Sequence, residues 1–161
     1  MILIGLGANV AGPWGEPGET LARAITALDS GPVRLLAASS ILKTAPFGVT
    51  DQPPFANAVA RVESGLSPAE LLAHLHAIER QAGRERILRW GPRTLDLDLL
   101  DHDGRVEAGP PVLPHPGIAE RVFVLAPIAE IAPGWRHPQS GLSAAELLAR
   151  LEGRAEGAVI G

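Results

Sequence analysis

The stretch Arg84-Glu-Arg-Ile-Leu-Arg-Trp-Gly-Pro-Arg-Thr-Leu-Asp-Leu-Asp-Leu-Leu100 concentrates the side chains that can do chemistry. Four arginines and one glutamate between Arg84 and Arg93 give a local charge of +3, and four aspartates with no base follow between Thr94 and Asp103. In Leu95-Asp96-Leu97-Asp98-Leu99 the alternation is strict, so a strand turns the leucines to one face and both carboxylates to the other. At a rise of about 3.3 Å per residue the two charges stand roughly 7 Å apart. Their repulsion is about 0.6 to 2.4 kcal/mol for effective dielectrics of about 80 down to 20, added to the poor strand propensity of aspartate. A divalent cation between them removes the conflict.

Magnesium suits such a pair, because it accepts one or two protein carboxylates and fills its other positions with water and phosphate oxygens. The arginines offer planar forks of donors that match phosphate geometry. Trp90 and the Gly91-Pro92 turn lie between the two charge blocks, where an indole can cover a flat heterocycle. The local reading is a metal-nucleotide site. The plain alternative is a surface loop followed by a half-buried edge strand whose polar face is merely solvated, since arginine clusters often contribute nothing.

The chain that must position these groups has 161 residues, 46% of them hydrophobic, enough for one domain spanning residues 1–161 with its own core. A net charge of −4 argues against general nucleic-acid binding, which needs a broad basic surface. With no cysteine, disulfides and thiolate zinc sites are excluded. Among the five histidines, His74 and His76 would leave a helix on different faces, and none has metal-site spacing. The apolar run Met1-Ile-Leu-Ile-Gly-Leu6 is too short for a signal peptide, and no run approaches the roughly 18 apolar residues of a membrane span. A cytoplasmic protein without membrane or nucleic-acid partners, acting as a monomer, is the expectation.

Ile2 to Leu6 reads as a buried strand. Gly5-Leu-Gly7-Ala-Asn-Val-Ala-Gly12 follows it in the place of a dinucleotide fingerprint but carries Val10 where the third glycine belongs. Leu21, Ala24, Ile25 and Leu28 form one helical face that Gly31-Pro32 ends, and Val33 to Lys43 is strand-like. A Pro- and Gly-rich loop from Thr44 to Phe55 holds two of the chain's three phenylalanines. Phe55-Ala-Asn57 opens the next strand with ring and carboxamide on one face, a pairing that can stack on a heterocycle and bond its edge. The same loop could equally be a flap on the core. Ser67-Pro-Ala-Glu70 starts a helix with a capping box, Leu71, Leu72, Leu75 and Ile78 form its buried stripe, and Gly83 closes it. The order strand, helix, strand, strand, helix, strand is a ferredoxin-like arrangement. Asp103-Gly104 marks a tight hairpin between Leu99 and Val106, and Ser143-Ala-Ala-Glu146 caps a last helix with Leu147, Leu148 and Leu151 inward. The fold class expected is α+β, a ferredoxin-like βαββαβ core with an antiparallel sheet, plus a C-terminal hairpin and helices.

Arg89-Trp-Gly-Pro-Arg-Thr-Leu-Asp-Leu-Asp-Leu-Leu100 resembles the signature of the 6-hydroxymethyl-7,8-dihydropterin pyrophosphokinase family, which moves a pyrophosphoryl group from ATP to a pterin alcohol. The likeness extends to Gly7-Ala8-Asn9, to Leu113-Pro-His115, to Arg121-x-Phe123 and to Pro127-x-x-Glu-Ile-Ala-Pro133, which resembles a turn of the family. It implies the same ferredoxin-like fold, ATP as co-substrate and two Mg²⁺ ions held by Asp96 and Asp98. It further implies catalytic roles for Arg84, Arg93 and Asp98. Glu79, Arg86, Arg89, Trp90, Leu99, His115 and Arg121 would meet the nucleotide, with His76 near it. Thr44, Phe47, Phe55, Asn57 and Phe123 would form the pterin pocket. Phe55 stands where many members have tyrosine, and Ala45 and Pro116 depart from the family pattern. The implied reaction is attack by the pterin hydroxymethyl oxygen on the β-phosphorus, releasing AMP; nothing in spacing or composition separates β- from γ-attack. The rival is a non-catalytic ferredoxin-like module that senses a nucleotide, which the fold alone would permit.

Overall fold

The apolar N-terminal run becomes the inner strand of a sheet: β1 (Ile2–Ala8) pairs antiparallel with β4 (Phe55–Ser64) on one side and with β5 (Asp96–His102) on the other. The computed structural model describes residues 1–44, 55–83 and 94–160, without the side chains of Thr44 and of residues 154–160. β2 (Val33–Ala38) and β3 (Leu42–Thr44) both pair antiparallel with β4, one after the other along its outer side. The sheet order is β2-β4-β1-β5, with β3 beyond the end of β2. Taking β2 and β3 as two limbs of one edge strand, the topology is the expected ferredoxin-like βαββαβ core. Residues 33–43 do not form one strand, because at Ser39 the hydroxyl replaces a ladder bond: Val59 donates its N–H to Ser39 Oγ at 2.9 Å.

The two-residue period of the strands divides the core between the two faces of the sheet. Ile2, Ile4 and Leu6 of β1 and Leu97 and Leu99 of β5 pack with α1 (Pro17–Leu28) and α2 (Pro68–Gln81). On the opposite face Leu3, Val59 and Leu100 pack with α3 (Val122–Ile131) and α4 (Ala144–Ile160). The capping boxes form as expected. Ser67 Oγ accepts the Glu70 N–H at 3.2 Å while Glu70 accepts the Ser67 N–H at 3.0 Å, and Ser143 and Glu146 repeat the arrangement. No helix among the described residues is long and apolar enough to cross a membrane.

Two local features differ from expectation. The Asp103-Gly104 turn is made, with positive φ at both residues and an Arg105 N–H to His102 O bond of 3.1 Å. Its return limb is not a strand on β5, since Glu107 is paired elsewhere and the prolines at 110, 111 and 114 bar a ladder further on. The chain folds on itself instead, Glu107 and Leu113 exchanging both backbone bonds at 2.9 and 3.0 Å. Pro127 does not open a turn but lies inside α3, where the first turns of the helix continue past it.

Candidate active site

Register explains how the site is assembled. Gly7 of β1 lies between Asn57 of β4 and Asp96 of β5, and Gly5 lies between Val59 and Asp98. Residues directly opposite in antiparallel strands share a face, so Asp96, Asp98, Asn57 and, two residues before it, Phe55 lie on one side of the sheet. Across three strands the Cα atoms of Asn57 and Asp96 are about 10 Å apart, two strand spacings. The glycines keep the floor between them clear: a Cβ on Gly7 would reach Asn57 Oδ1 at 3.4 Å, and one on Gly5 would press on Leu100 at 3.3 Å. The glycine pair that fails as a dinucleotide fingerprint is therefore explained by close packing in the central strand.

A β-bulge then divides the acidic block. Leu3 pairs with Asp101 but Ile4 pairs with Leu99, so Leu100 is the extra residue. Before the bulge, Asp96 and Asp98 line a cavity. After it, Asp101 is buried and accepts Trp135 Nε1–H at 2.7 Å and the Gly104 N–H at 3.0 Å, while Asp103 binds the N-terminal ammonium at 2.8 Å. That ammonium, by its hydrogen bond, holds the Asp103 carboxyl below the usual carboxylate range.

The cavity, about 390 Å³, runs along the free edge of β5 between α2 and the segment around His115. Leu72, His76 and Glu79, spaced one helical turn apart on α2, face it together with Leu97 and Leu99. Leu72 is thus half-buried at the cavity, whereas Leu71, Leu75 and Ile78 are in the core. Glu79 is buried, and its Oε2 accepts the Leu97 N–H at 2.8 Å. Because peptide groups of alternate residues face the same way, those of Leu99 turn to this edge too. Opposite α2, the His115 N–H donates to Leu100 O at 2.8 Å and fastens the other wall.

His115 Nδ1 accepts the Gly117 N–H at 3.1 Å, so the neutral ring carries its proton on Nε2. Burial, and next the Arg121 charge, push the His115 pKa down; the nearby Asp96 opposes them. The imidazole is held as a neutral hydrogen-bond donor. Arg121 lies at the start of α3 with its guanidinium 5.9 Å from the Phe123 ring, close-packed on Gly117, where a Cβ would come within 2.8 Å of it. Phe123 and Phe55 are half-buried, and Asn57 is 7% exposed.

Among the described residues no group of three or more His, Asp or Glu side chains could hold a metal. Asp96 and Asp98, two carboxylates lining one cavity, are the donor type that suits a hard cation drawing its remaining oxygens from water or a ligand. Of the residues expected at the site, Phe47, Arg84, Arg86, Arg89, Trp90 and Arg93 lie outside the described residues, and so does the Thr44 side chain. The flanks of these segments are described: Thr44 pairs with Phe55, and Gly83 and Thr94 both pack on Gly12-Pro13. Pro111 and Val112 at the cavity, and Gly12-Pro13 beneath Gly83 and Thr94, carry no local signal in the sequence. Only the contact of loop on loop reveals them.

A family model described as 7,8-dihydro-6-hydroxymethylpterin-pyrophosphokinase matches residues 3–133. A 2-amino-4-hydroxy-6-hydroxymethyldihydropteridine pyrophosphokinase of Pseudomonas aeruginosa is 43% identical over 150 residues, which cover 92% of this chain and 90% of that protein. Proteins of the same name from Synechocystis sp. and Bacillus subtilis are 40% and 42% identical, covering 93% and 80% of this chain and 75% of each relative.

Proposed function

The chain belongs to the 7,8-dihydro-6-hydroxymethylpterin-pyrophosphokinase family, and on that footing we propose that it transfers pyrophosphate from ATP to 6-hydroxymethyl-7,8-dihydropterin. The products are AMP and the pterin diphosphate, a step of folate biosynthesis. The relatives are named as pyrophosphokinases, so the non-catalytic sensor is not favoured.

The observation that carries the reading is the row Asn57–Gly7–Asp96, which joins a stacking and hydrogen-bonding patch to a carboxylate pair at the cavity mouth. Phe55 stacks on the pterin and Asn57 bonds its edge, with Thr44, Phe47 and Phe123 completing that pocket. ATP lies along the edge of β5, against Glu79 and the peptide groups of Leu99. His115 donates from Nε2, and Arg121 supplies charge beside it. Trp90, Arg86 and Arg89 are assigned to the nucleotide on their sequence pattern.

Asp96 and Asp98 are the residues to hold two Mg²⁺ ions, whose chemistry when bound is to neutralise charge on the phosphate oxygens. Arg84 and Arg93 take up the charge that grows as the bridging bond breaks. Asp98 accepts the hydroxymethyl proton. Positioning and electrostatics carry most of the rate in such transfers.

The test is to combine the protein with Mg²⁺, ATP and the pterin alcohol and to separate the nucleotides. AMP formed only with the pterin is expected. ADP would indicate an ordinary kinase, and unchanged ATP a binding module; either result overturns the proposal. Omitting Mg²⁺, or adding a chelator, should stop the reaction.

A further inference from the structure

The motif Pro127-Ile-Ala-Glu130-Ile-Ala-Pro133 lies outside the cavity, yet its glutamate makes the contact that spans the gap in the edge strand. Glu130, near the end of α3, chelates Ser40: Oε2 accepts the Ser40 N–H at 2.8 Å, and Oε1 accepts the Ser40 hydroxyl at 2.9 Å. Ser40 lies in the gap between β2 and β3. Its neighbour Ser39 is tied to β4, its N–H on Val59 O and its hydroxyl receiving the Val59 N–H, both at 2.9 Å. The gap is thus held from the sheet through one serine and from α3 through the next.

We propose that Glu130 is a positioning residue for the pterin side of the site, setting the register of β3 against Phe55 and Asn57. β3 has three residues, and its register pairs Leu42 with Asn57 and Thr44 with Phe55. So short an edge strand, cut off from β2, has few ladder bonds to resist a slip, and a one-residue slip would turn every side chain to the other face. A carboxylate receiving a backbone N–H makes a charge-assisted bond, which fixes that peptide more firmly than a neutral acceptor. α3 serves as a rod about 15 Å long. Arg121 and Phe123 stand at one end of it and the Ser40 clamp at the other. The inference rests on the reading that Phe55 and Asn57 receive the pterin.

The test uses Glu130→Ala and Glu130→Gln in the full chain, with steady-state AMP formation and amide hydrogen exchange. In Glu130→Ala the KM for the pterin should rise about five-fold, the worth of one net hydrogen bond. The KM for ATP and kcat should stay within about two-fold of the parent. Glu130→Gln keeps a carbonyl oxygen for the Ser40 N–H and should fall between. Exchange should quicken at Leu42–Thr44 and Phe55–Asn57 and not in β1 or β5. An unchanged pterin KM with unchanged exchange overturns the proposal, as does an equal rise in both KM values with faster exchange throughout the sheet. If the parent chain makes no AMP, the functional reading falls, and the exchange pattern alone decides on the clamp. If Glu130→Ala does not fold, Ser40→Ala should give the same split at smaller amplitude, and parent-like kinetics there overturn it.

Discussion

The Glu79 carboxylate accepts the outward backbone N–H of Leu97 at 2.8 Å, with both residues 2% exposed. An edge strand normally leaves such donors to water or to another chain. Here an acid on α2 takes one of them and holds the helix to the strand that carries Asp96 and Asp98. Replacing Glu79 by Leu would leave that N–H buried without an acceptor, at a cost of about 2 kcal/mol. The melting temperature should fall by roughly 4 to 8 °C, while Glu79→Gln, which keeps an oxygen, should lose much less. Calorimetry of the two variants checks this. Equal melting temperatures for Glu79→Leu and the parent would mean that the bond contributes nothing.

Asp96 and Asp98 should carry both the activity and the response to metal. Both carboxylates lie on one face of β5, two residues apart. Asp98→Asn removes one of the two carboxylates that a hard cation would need while keeping the size of the side chain. AMP formation should drop at least about 100-fold, as expected when a group that stabilises transition-state charge is lost. Added Mg²⁺ should raise the melting temperature of the parent more than that of the variant. An equal rise in both proteins would show that Asp98 takes no part in holding the ion.

Much of this arrangement is legible in the sequence, because it depends on periodicity. The alternation from Leu95 to Leu99 predicts the shared face of the two aspartates, and the capping boxes at Ser67 and Ser143 predict where two helices begin. What escapes depends on register between distant strands. Nothing local marks Leu100 as a bulge, so four aspartates read as one acidic block, although two of them serve packing and the chain terminus. The gap at Ser39 and Ser40 is hidden for the same reason, since the groups that stabilise it, Val59 and Glu130, are 20 and 90 residues away. Gly5 and Gly7 already fail as a dinucleotide fingerprint at Val10, but the reason for glycine there lies in their cross-strand neighbours.

Stability should depend on pH through His115. Its pKa is pushed down, first by burial and then by Arg121. The folded state therefore favours the neutral ring, and the unfolded chain binds more protons at pH values between the depressed pKa and the ordinary value of about 6.5. Within that window stability rises with pH; below it the cost of keeping the ring neutral is fully felt. Protonation also places a hydrogen on Nδ1, where the Gly117 N–H already points. In metal-free protein, His115→Gln should flatten the acid-side slope of stability against pH below about 6.5. Denaturant titrations at several pH values measure it, and an unchanged slope would assign the dependence to other groups.

Gly12 should be intolerant of any side chain because of Thr94. A Cβ at Gly12 would lie 2.8 Å from Thr94 Cγ2, 3.0 Å from Thr94 Cβ and 3.4 Å from Ala82 O. Gly12 and Gly15 exchange both backbone bonds at 3.0 Å, so this turn has little freedom to retreat. The strain thus falls on Thr94, which precedes Asp96 by two residues. Gly12→Ala should therefore cost about 1 to 3 kcal/mol by overpacking and also lower kcat by displacing the start of β5. Thr94→Ser removes Cγ2, the nearer of the two Thr94 contacts, and keeps Cβ, so the double variant Gly12→Ala, Thr94→Ser should recover part of both losses. A coupling energy of about 1 kcal/mol in the double-mutant cycle is expected for two groups in direct contact. Strict additivity of the two substitutions would show that the glycine is required for the turn itself and not for room beside Thr94.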